Sequence, residues 1–309
     1  MLEAILLSLG GLVGLAVGGE LLVRGAVGIA DKLGVSTLFT GLVIVGFATS
    51  MPEMAASVQA SLAGSPEIAW GNIVGSNLAN TLLILGASAL VAPIVLTGGG
   101  RRDAIVALGL TLMLWALAWS QLGGRWIGLA LLAGIIAYIV WRYRNPGVAQ
   151  IEDDDEDGEA PGSTVVAVLL FLAGLGILVV GGNALVTGAI DLARIFNVPE
   201  TVIGLTVVAI GTSLPELAAS IAAALRGKSG LAIGNVLGSN IYNILLIGGA
   251  TMSIAPFALP ADLAGLEMGL LTASAVALVA LLYYAKQIGR LIGGILLAAF
   301  AANVVLVFA

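Results

Sequence analysis

Two short stretches hold most of the side chains in this chain that could do chemistry. Residues 46–53 read GFATSMPE and residues 209–216 read AIGTSLPE. Inside otherwise apolar runs, Thr49, Ser50, Pro52 and Glu53 recur as Thr212, Ser213, Pro215 and Glu216. An ionisable group at membrane depth is costly, and where one is kept it marks an ion or substrate path. Thr49 and Glu53 stand four apart and share a helix face, with Ser50 beside them. Pro52 has no N–H to donate and its ring crowds the carbonyl of Ala48, so the spacing predicts a kink or break. Carbonyls near Ala48 and Thr49 then lack helical partners, and in a bilayer a cation or cavity water must satisfy them.

A second pair of stretches adds amides. Asn72, Ser76 and Asn80 fall at i, i+4 and i+8 on one helix face, with Gly71 and Gly75 for close approach, and the copy is Asn235, Ser239 and Asn243. Carboxylates, hydroxyls, amide oxygens and freed carbonyls make a hard, all-oxygen set that suits calcium and sodium more than zinc or copper. A lone Ser or Thr in a membrane helix commonly bonds its own backbone, and a lone Asn is often interhelical glue. Two glutamates, each directly after a proline at matched positions, are not explained that way. Glu20, four before Arg24, reads instead as an ordinary i,i+4 pair.

The elements that carry these residues are duplicated. Displaced by 163 residues without gaps, residues 41–86 match residues 204–249 at 24 of 46 positions, which is an internal repeat. The match reaches the first helix of each half, where Gly18-Gly19 and Gly181-Gly182 correspond. With 60% hydrophobic and only 10% charged residues, the chain cannot be an ordinary soluble domain, whose charged fraction is about 25%. Mean hydropathy is +1.12. Apolar runs near the roughly 20 residues needed to cross a bilayer recur along it, which points to an all-α membrane protein; barrel strands would be shorter and alternating. Met1 to Arg24 reads as a first helix and not a signal peptide, because it starts acidic, with Glu3, and lacks a cleavage pattern. Cysteine and histidine are absent, which removes disulfides, thiolate or imidazole metal sites and any histidine proton relay.

The expected spans are residues 2–23, 36–62, 68–92, 103–121 and 125–143, then 163–189, 200–225, 231–256, 263–284 and 288–308. An odd number per half makes the copies enter the membrane in opposite senses, so the expectation is ten transmembrane helices as two inverted five-helix repeats, 1–144 and 163–309. Loops after the odd spans carry Arg24, Lys32, Arg101, Arg102, Arg142, Arg144, Arg226, Lys228, Lys286 and Arg290; the other side has only Arg125 and Arg194. That bias predicts outward termini in the cell membrane and a cytoplasmic central loop. The loop, 145–162, includes Glu152, Asp153, Asp154, Asp155, Glu156, Asp157 and Glu159, and reads as a solvated linker, since it lacks the alternating ligands and central glycine of an EF-hand.

At these residues the sequence resembles the calcium/cation antiporter superfamily, in its sodium/calcium exchanger branch. GFATSMPE with GNIVGSNLAN, and AIGTSLPE with GNVLGSNIYN, are similar to that family's two alpha-repeat signatures. The resemblance implies exchange of calcium against sodium by alternating access, with lipid and the two ions as partners and no prosthetic group, nucleic acid or obligatory protein partner. It implies Glu53 and Glu216 as shared ligands and Thr49 and Thr212 as carbonyl donors. Ser50, Ser76, Ser213 and Ser239 would complete sodium sites, Asn80 and Asn243 would flank the centre, and Gly46 and Ala209 would contribute carbonyls alone. The first and sixth spans would slide as a pair. Ala48 and Met51 depart from the usual residues, and Asn243 stands where some members carry aspartate. Calcium/proton exchange through the same glutamates is the nearest alternative. A cation channel fits the duplicated, Pro-broken helices less well, and an intramembrane hydrolase at Ser50 or Ser213 lacks a partner base.

Overall fold

The structure, a computed structural model, describes residues 1–145, 163–196, 209–256, 259–260 and 264–308. The acidic segment 146–162 and most of the first half of the expected span 200–225 lie outside the described residues. Helix α1 (Leu2–Leu33) is followed by α2 (Thr37–Thr49), α3 (Met51–Leu62) and α4 (Pro66–Val91). A short strand β1 (Ile94–Val95) precedes α5 (Arg101–Ser120) and α6 (Arg125–Arg144). The second half brings α7 (Thr164–Ile195), a helical turn at Ala209–Gly211, α8 (Leu214–Leu225), α9 (Ser229–Ile254), α10 (Leu266–Tyr284), β2 (Gln287–Ile288) and α11 (Arg290–Phe308). Among the described residues, seven helices are long and apolar enough to cross a membrane, or eight with the bent pair α2–α3 as one span.

Local chemistry sets the boundaries. The bend between α2 and α3 is 43°, at the Pro-containing stretch where the sequence predicts a break. Ser50 (φ −79°, ψ 3°) leaves helical geometry there, and Ser213 (φ −88°, ψ 6°) does the same before α8. Helix α1 runs ten residues beyond the expected span 2–23 and closes on Gly34, whose φ of 63° suits a residue without a Cβ. At 32 residues it is about 48 Å long, more than the roughly 30 Å hydrocarbon layer. Its charged turn at Glu20 and Arg24 is therefore no helix end. Glu20 pairs with Arg24 at 2.8 Å and, from the side, with Arg226 after α8.

Helices α4 and α9 form the core, with 78% and 94% of their most apolar windows buried, against about a third for α1, α5, α7 and α10. Those outer helices present apolar side chains such as Trp119, Leu172 and Tyr284 outward, as a lipid-facing surface would. Helices α1 and α7 lie antiparallel with backbone on backbone. Gly11 and Gly181, Gly18 and Gly174, and Gly25 and Phe171 meet along this seam, where a Cβ on Gly18 would sit 2.8 Å from the Leu178 amide nitrogen. The glycines repeat every seven residues on both helices, and Gly11, Gly18 and Gly25 are the counterparts of Gly174, Gly181 and Gly188. Small residues at such spacing let membrane helices approach closely.

Loops carrying the cations converge at one end. Strand β1 pairs with β2, Val95 N–H donates to Ser229 Oγ at 3.0 Å, and Arg101 Nε donates to the Leu282 carbonyl at 2.9 Å. At the same end Asp103 of α5 holds Arg142 of α6 at 3.0 Å and accepts from Tyr138 OH at 2.8 Å, all three buried. Arg125 is at the opposite end, donating to the Ser253 carbonyl.

Candidate cation site

Helix α2 reaches the core because glycines let it lie on α9. A Cβ on Gly41 would meet the Leu231 carbonyl at 2.5 Å, one on Gly238 the Leu42 carbonyl at 2.4 Å, and one on Gly46 the Ser239 amide at 3.1 Å. By contrast, among the described residues nothing lies within 4 Å of a Cβ built on Gly71 or Gly75. Gly46 thus has a packing duty beside any carbonyl role, and its C=O accepts from Ser50 N–H at 3.2 Å. The contact sets the end of α2, with Thr49 and Ser50, against the middle of α9.

Glu53 and Glu216 sit in the first turns of α3 and α8, each 2% exposed. The halves exchange partners. Ser213 Oγ donates to Glu53 Oε1 at 3.0 Å, and Thr212 also lies against Glu53, while Thr49 and Ser50 lie against Glu216. The two carboxyl groups are near enough to act on each other electrostatically. Each glutamate is anchored from behind by an asparagine. Asn72 Nδ2 donates to the Glu53 carbonyl (3.2 Å) and Ser57 Oγ (2.8 Å), and Asn235 Nδ2 donates to the Glu216 carbonyl (3.2 Å) and Ser220 Oγ (2.8 Å). So Asn72 and Asn235, read from the sequence as part of the polar stripe, turn to the helix behind them. Asn235 Oδ1 also accepts from Thr49 Oγ1 at 3.2 Å, and the same hydroxyl reaches the Val45 carbonyl at 3.0 Å.

Deeper in the core, Asn80 and Asn243 are buried on α4 and α9, with Ser76 and Ser239 one turn earlier. Asn80 Nδ2 donates to Asn240 Oδ1 at 3.0 Å, and Asn243 Nδ2 donates to Asn77 Oδ1 at 3.3 Å. Both helices switch to π-helical turns here, at Ala79–Ile84 and Asn243–Ile247, and α2 does so at Gly41–Val45. Such turns are rare and concentrate at functional sites because they re-aim side chains. The Tyr242 hydroxyl caps one carbonyl of the α2 turn, that of Val43, at 3.2 Å. Sequence spacing gives no sign of these turns. Asn77 and Asn240, however, recur at the 163-residue displacement and were legible as duplicated polar positions.

Among the described residues, several oxygens at this centre are buried with no hydrogen-bond partner: Glu53 Oε2, Glu216 Oε2, Ser50 Oγ, Thr212 Oγ1, Ser239 Oγ and Asn243 Oδ1. A buried polar atom left unpaired costs about 1–3 kcal/mol, more if charged. Four of them, on Glu53, Glu216, Ser50 and Thr212, lie against one another, and a cation would accept their lone pairs. Among the described residues no cluster of three or more His, Cys, Asp or Glu side chains occurs, so such a ligand would meet two carboxylates and neutral oxygens. Ala209 lies in the helical turn just ahead of Thr212 and Ser213. The chemistry on offer is reversible coordination of a hard cation; the centre holds two carboxylates, hydroxyls and amides.

Known proteins share this architecture and sequence. A family profile described as sodium/calcium exchanger protein matches residues 3–144 and 166–309. The uncharacterized membrane protein MJ0091 of Methanocaldococcus jannaschii is 36% identical over 94% of this chain and 93% of its own length. The sodium/calcium exchanger MaX1 of Methanosarcina acetivorans is 31% identical over 96% of each. A structure of the sodium-calcium exchanger NCX_Mj soaked with zero Na+ and Ca2+ superposes with a TM-score of 0.86 at 31% identity, covering 99% of both chains. The chain therefore belongs to the sodium/calcium exchanger family and is a multi-span membrane cation antiporter, not an enzyme.

Proposed function

We propose that this protein exchanges calcium for sodium by alternating access, with Glu53 and Glu216 as ligands shared between the two ions. The observation that carries the reading is the set of buried, unpaired oxygens drawn from both halves of the chain. Two carboxylates neutralise one calcium ion or two sodium ions, so either load balances the site and neither can share it fully with the other. Thr49 and Thr212 contribute carbonyls, and Ser50, Ser76, Ser213 and Ser239 add hydroxyls or carbonyls. Asn80 and Asn243 flank the centre, and Gly46 and Ala209 offer carbonyls. The wealth of hydroxyls and the absence of histidine favour sodium over protons as the counter-ion. The names of MaX1 and NCX_Mj point the same way.

Ten spans in two inverted repeats, 1–144 and 163–309, supply the two access states. The pairings described above support this: exchanging each residue for its partner 163 positions away turns the Asn80–Asn240 bond into Asn243–Asn77, and the Gly11–Gly181 contact into Gly174–Gly18. Helices α1 and α7, locked backbone to backbone, move as one against the core. The termini face outward, and the acidic linker 145–162 lies in the cytoplasm.

The test is calcium flux in liposomes, driven by a sodium gradient in one arm and a proton gradient in the other, for the parent, Glu53→Gln, Glu216→Gln and the double variant. Removing one of two buried, partnered charges costs about 3–5 kcal/mol, so each single variant should lose calcium binding by two orders of magnitude or more. The double variant should be little worse, as for residues acting as a unit. Flux driven by protons alone would replace sodium in the proposal, and near-normal exchange in a well-folded Glu216→Gln protein would remove the shared site.

A further inference from the structure

The amide-to-amide bonds of Asn80 and Asn243 decide which end of each side chain can face an ion. In both, Nδ2 is turned away and held by a partner asparagine, so Oδ1 is the end left over; for Asn243 that oxygen is buried with no hydrogen-bond partner among the described residues. The partners, Asn77 and Asn240, are themselves buried and sit across the interface between α4 and α9. We propose that Asn77 and Asn240 are positioning residues that fix the amide orientation of Asn243 and Asn80, so that each presents oxygen and not nitrogen to the transported cation. This rests on the reading of Asn80 and Asn243 as flanking ligands.

The two positioning residues differ in one respect. Asn240 also donates, from Nδ2 to Thr81 Oγ1 at 3.1 Å. The counterpart of Thr81 is Ile244, whose side chain offers no acceptor, and among the described residues Asn77 Nδ2 is buried without a partner. Asn77 faces a cavity of about 10 Å³ lined also by Thr81, Thr111 and Asn240. A cavity of roughly 10–15 Å³ with two to four polar neighbours holds one water. Thr111 Oγ1 gives its proton to the Ala107 carbonyl at 2.9 Å and keeps lone pairs for such a water. A water in that cavity would accept from Asn77 Nδ2 and do for the first repeat what the Thr81 hydroxyl does for the second. A group that orients a ligand from outside the coordination shell typically controls about 10–100-fold in metal affinity.

The experiment is a pair of double-mutant cycles on the purified full-length protein. Calcium binding is read by calorimetry, with size-exclusion profile and melting temperature as folding checks. Asn77→Leu is measured alone, in an Asn243→Ala background, and against Asn243→Ala itself; Asn240→Leu with Asn80→Ala forms the mirrored cycle. We expect Asn77→Leu to weaken calcium binding about tenfold or more, and to cost nothing further once residue 243 is alanine, because it acts only through that amide. A loss that adds in full to that of Asn243→Ala would overturn the positioning role while leaving the ligand reading intact. No loss in Asn243→Ala and Asn80→Ala would overturn the ligand reading and this inference with it. If Asn77→Leu does not fold, the mirrored cycle separates the same outcomes.

Discussion

The seam between α1 and α7 makes a prediction whose size can be worked from distances. A Cβ on Gly174 would lie 2.4 Å from the Leu22 amide nitrogen and 2.8 Å from the Gly18 carbonyl. Both are backbone atoms, which no rotamer change can move. Since non-bonded heavy atoms settle at about 3.5–4.0 Å, Gly174→Ala must part the helices by about 1 Å. A gap of that size forfeits a quarter to a half of the dispersion energy of each facing contact, and overpacking of this kind costs about 1–3 kcal/mol. Alanine returns about 1 kcal/mol of helix propensity, for a net loss of about 0–2 kcal/mol. Gly176 is the internal control: it lies on the same helix, yet among the described residues nothing comes within 4 Å of its would-be Cβ. Gly176→Ala should therefore gain up to about 1 kcal/mol, and since that gain is common to both, the pair should differ by the strain alone, about 1–3 kcal/mol. Melting curves in one detergent rank the two proteins. Because Gly18 faces Gly174, Gly18→Ala with Gly174→Ala should cost less than the sum of the singles. Equal melting temperatures for Gly174→Ala and Gly176→Ala would show that the close seam does not exist.

Other consequences follow from the charges. Asp103→Asn should remove a buried counter-ion of Arg142 and cost up to about 3–5 kcal/mol, read as a fall in melting temperature, whereas replacing both by apolar residues should recover most of it. A reporter active only in the cytoplasm should be silent when fused after Ala309; activity would reverse the proposed orientation. Replacing residues 152–159 by a neutral Gly/Ser linker should leave sodium-driven calcium flux within a few-fold, as a solvated linker requires; complete loss in a folded protein would give that segment an active part.

Much of the site was legible because it is written twice. The TS-P-E signatures and the GN-GSN-N stripe stand 163 residues apart, and the break beside Pro52 and the burial of both glutamates followed from residue types alone. What spacing could not show was direction. Asn72, Ser76 and Asn80 share one face of an ideal helix, but the π turn that begins at Ala79 changes the angular step, and Asn72 points back to Ser57 while Asn80 crosses to Asn240. An ideal period of 3.6 cannot place residues on both sides of such a turn. Asn77, off that stripe, becomes a neighbour of Asn243 only once α4 and α9 are packed.

The span boundary at α1 was misplaced for a related reason. Glu20 and Arg24 carry the charges that usually announce the edge of a bilayer, yet the helix continues to Leu33. Their charges are answered by each other and by Arg226, some 200 positions away in sequence, which no local window contains. The same asymmetry separates the two halves of the repeat, since Asn183 stands opposite Glu20 and Ala63 opposite Arg226. An ion pair present at one end of the molecule has no counterpart at the other. In the proposed alternating-access exchange, two inverted repeats of identical sequence would make the opposite-facing states two-fold equivalents of equal energy. Departures such as this pair, and Ile244 against Thr81, are where the chain can favour one state over the other. In that proposal the matched positions hold what both states need: the glutamates, the hydroxyls beside them, and the asparagines behind them.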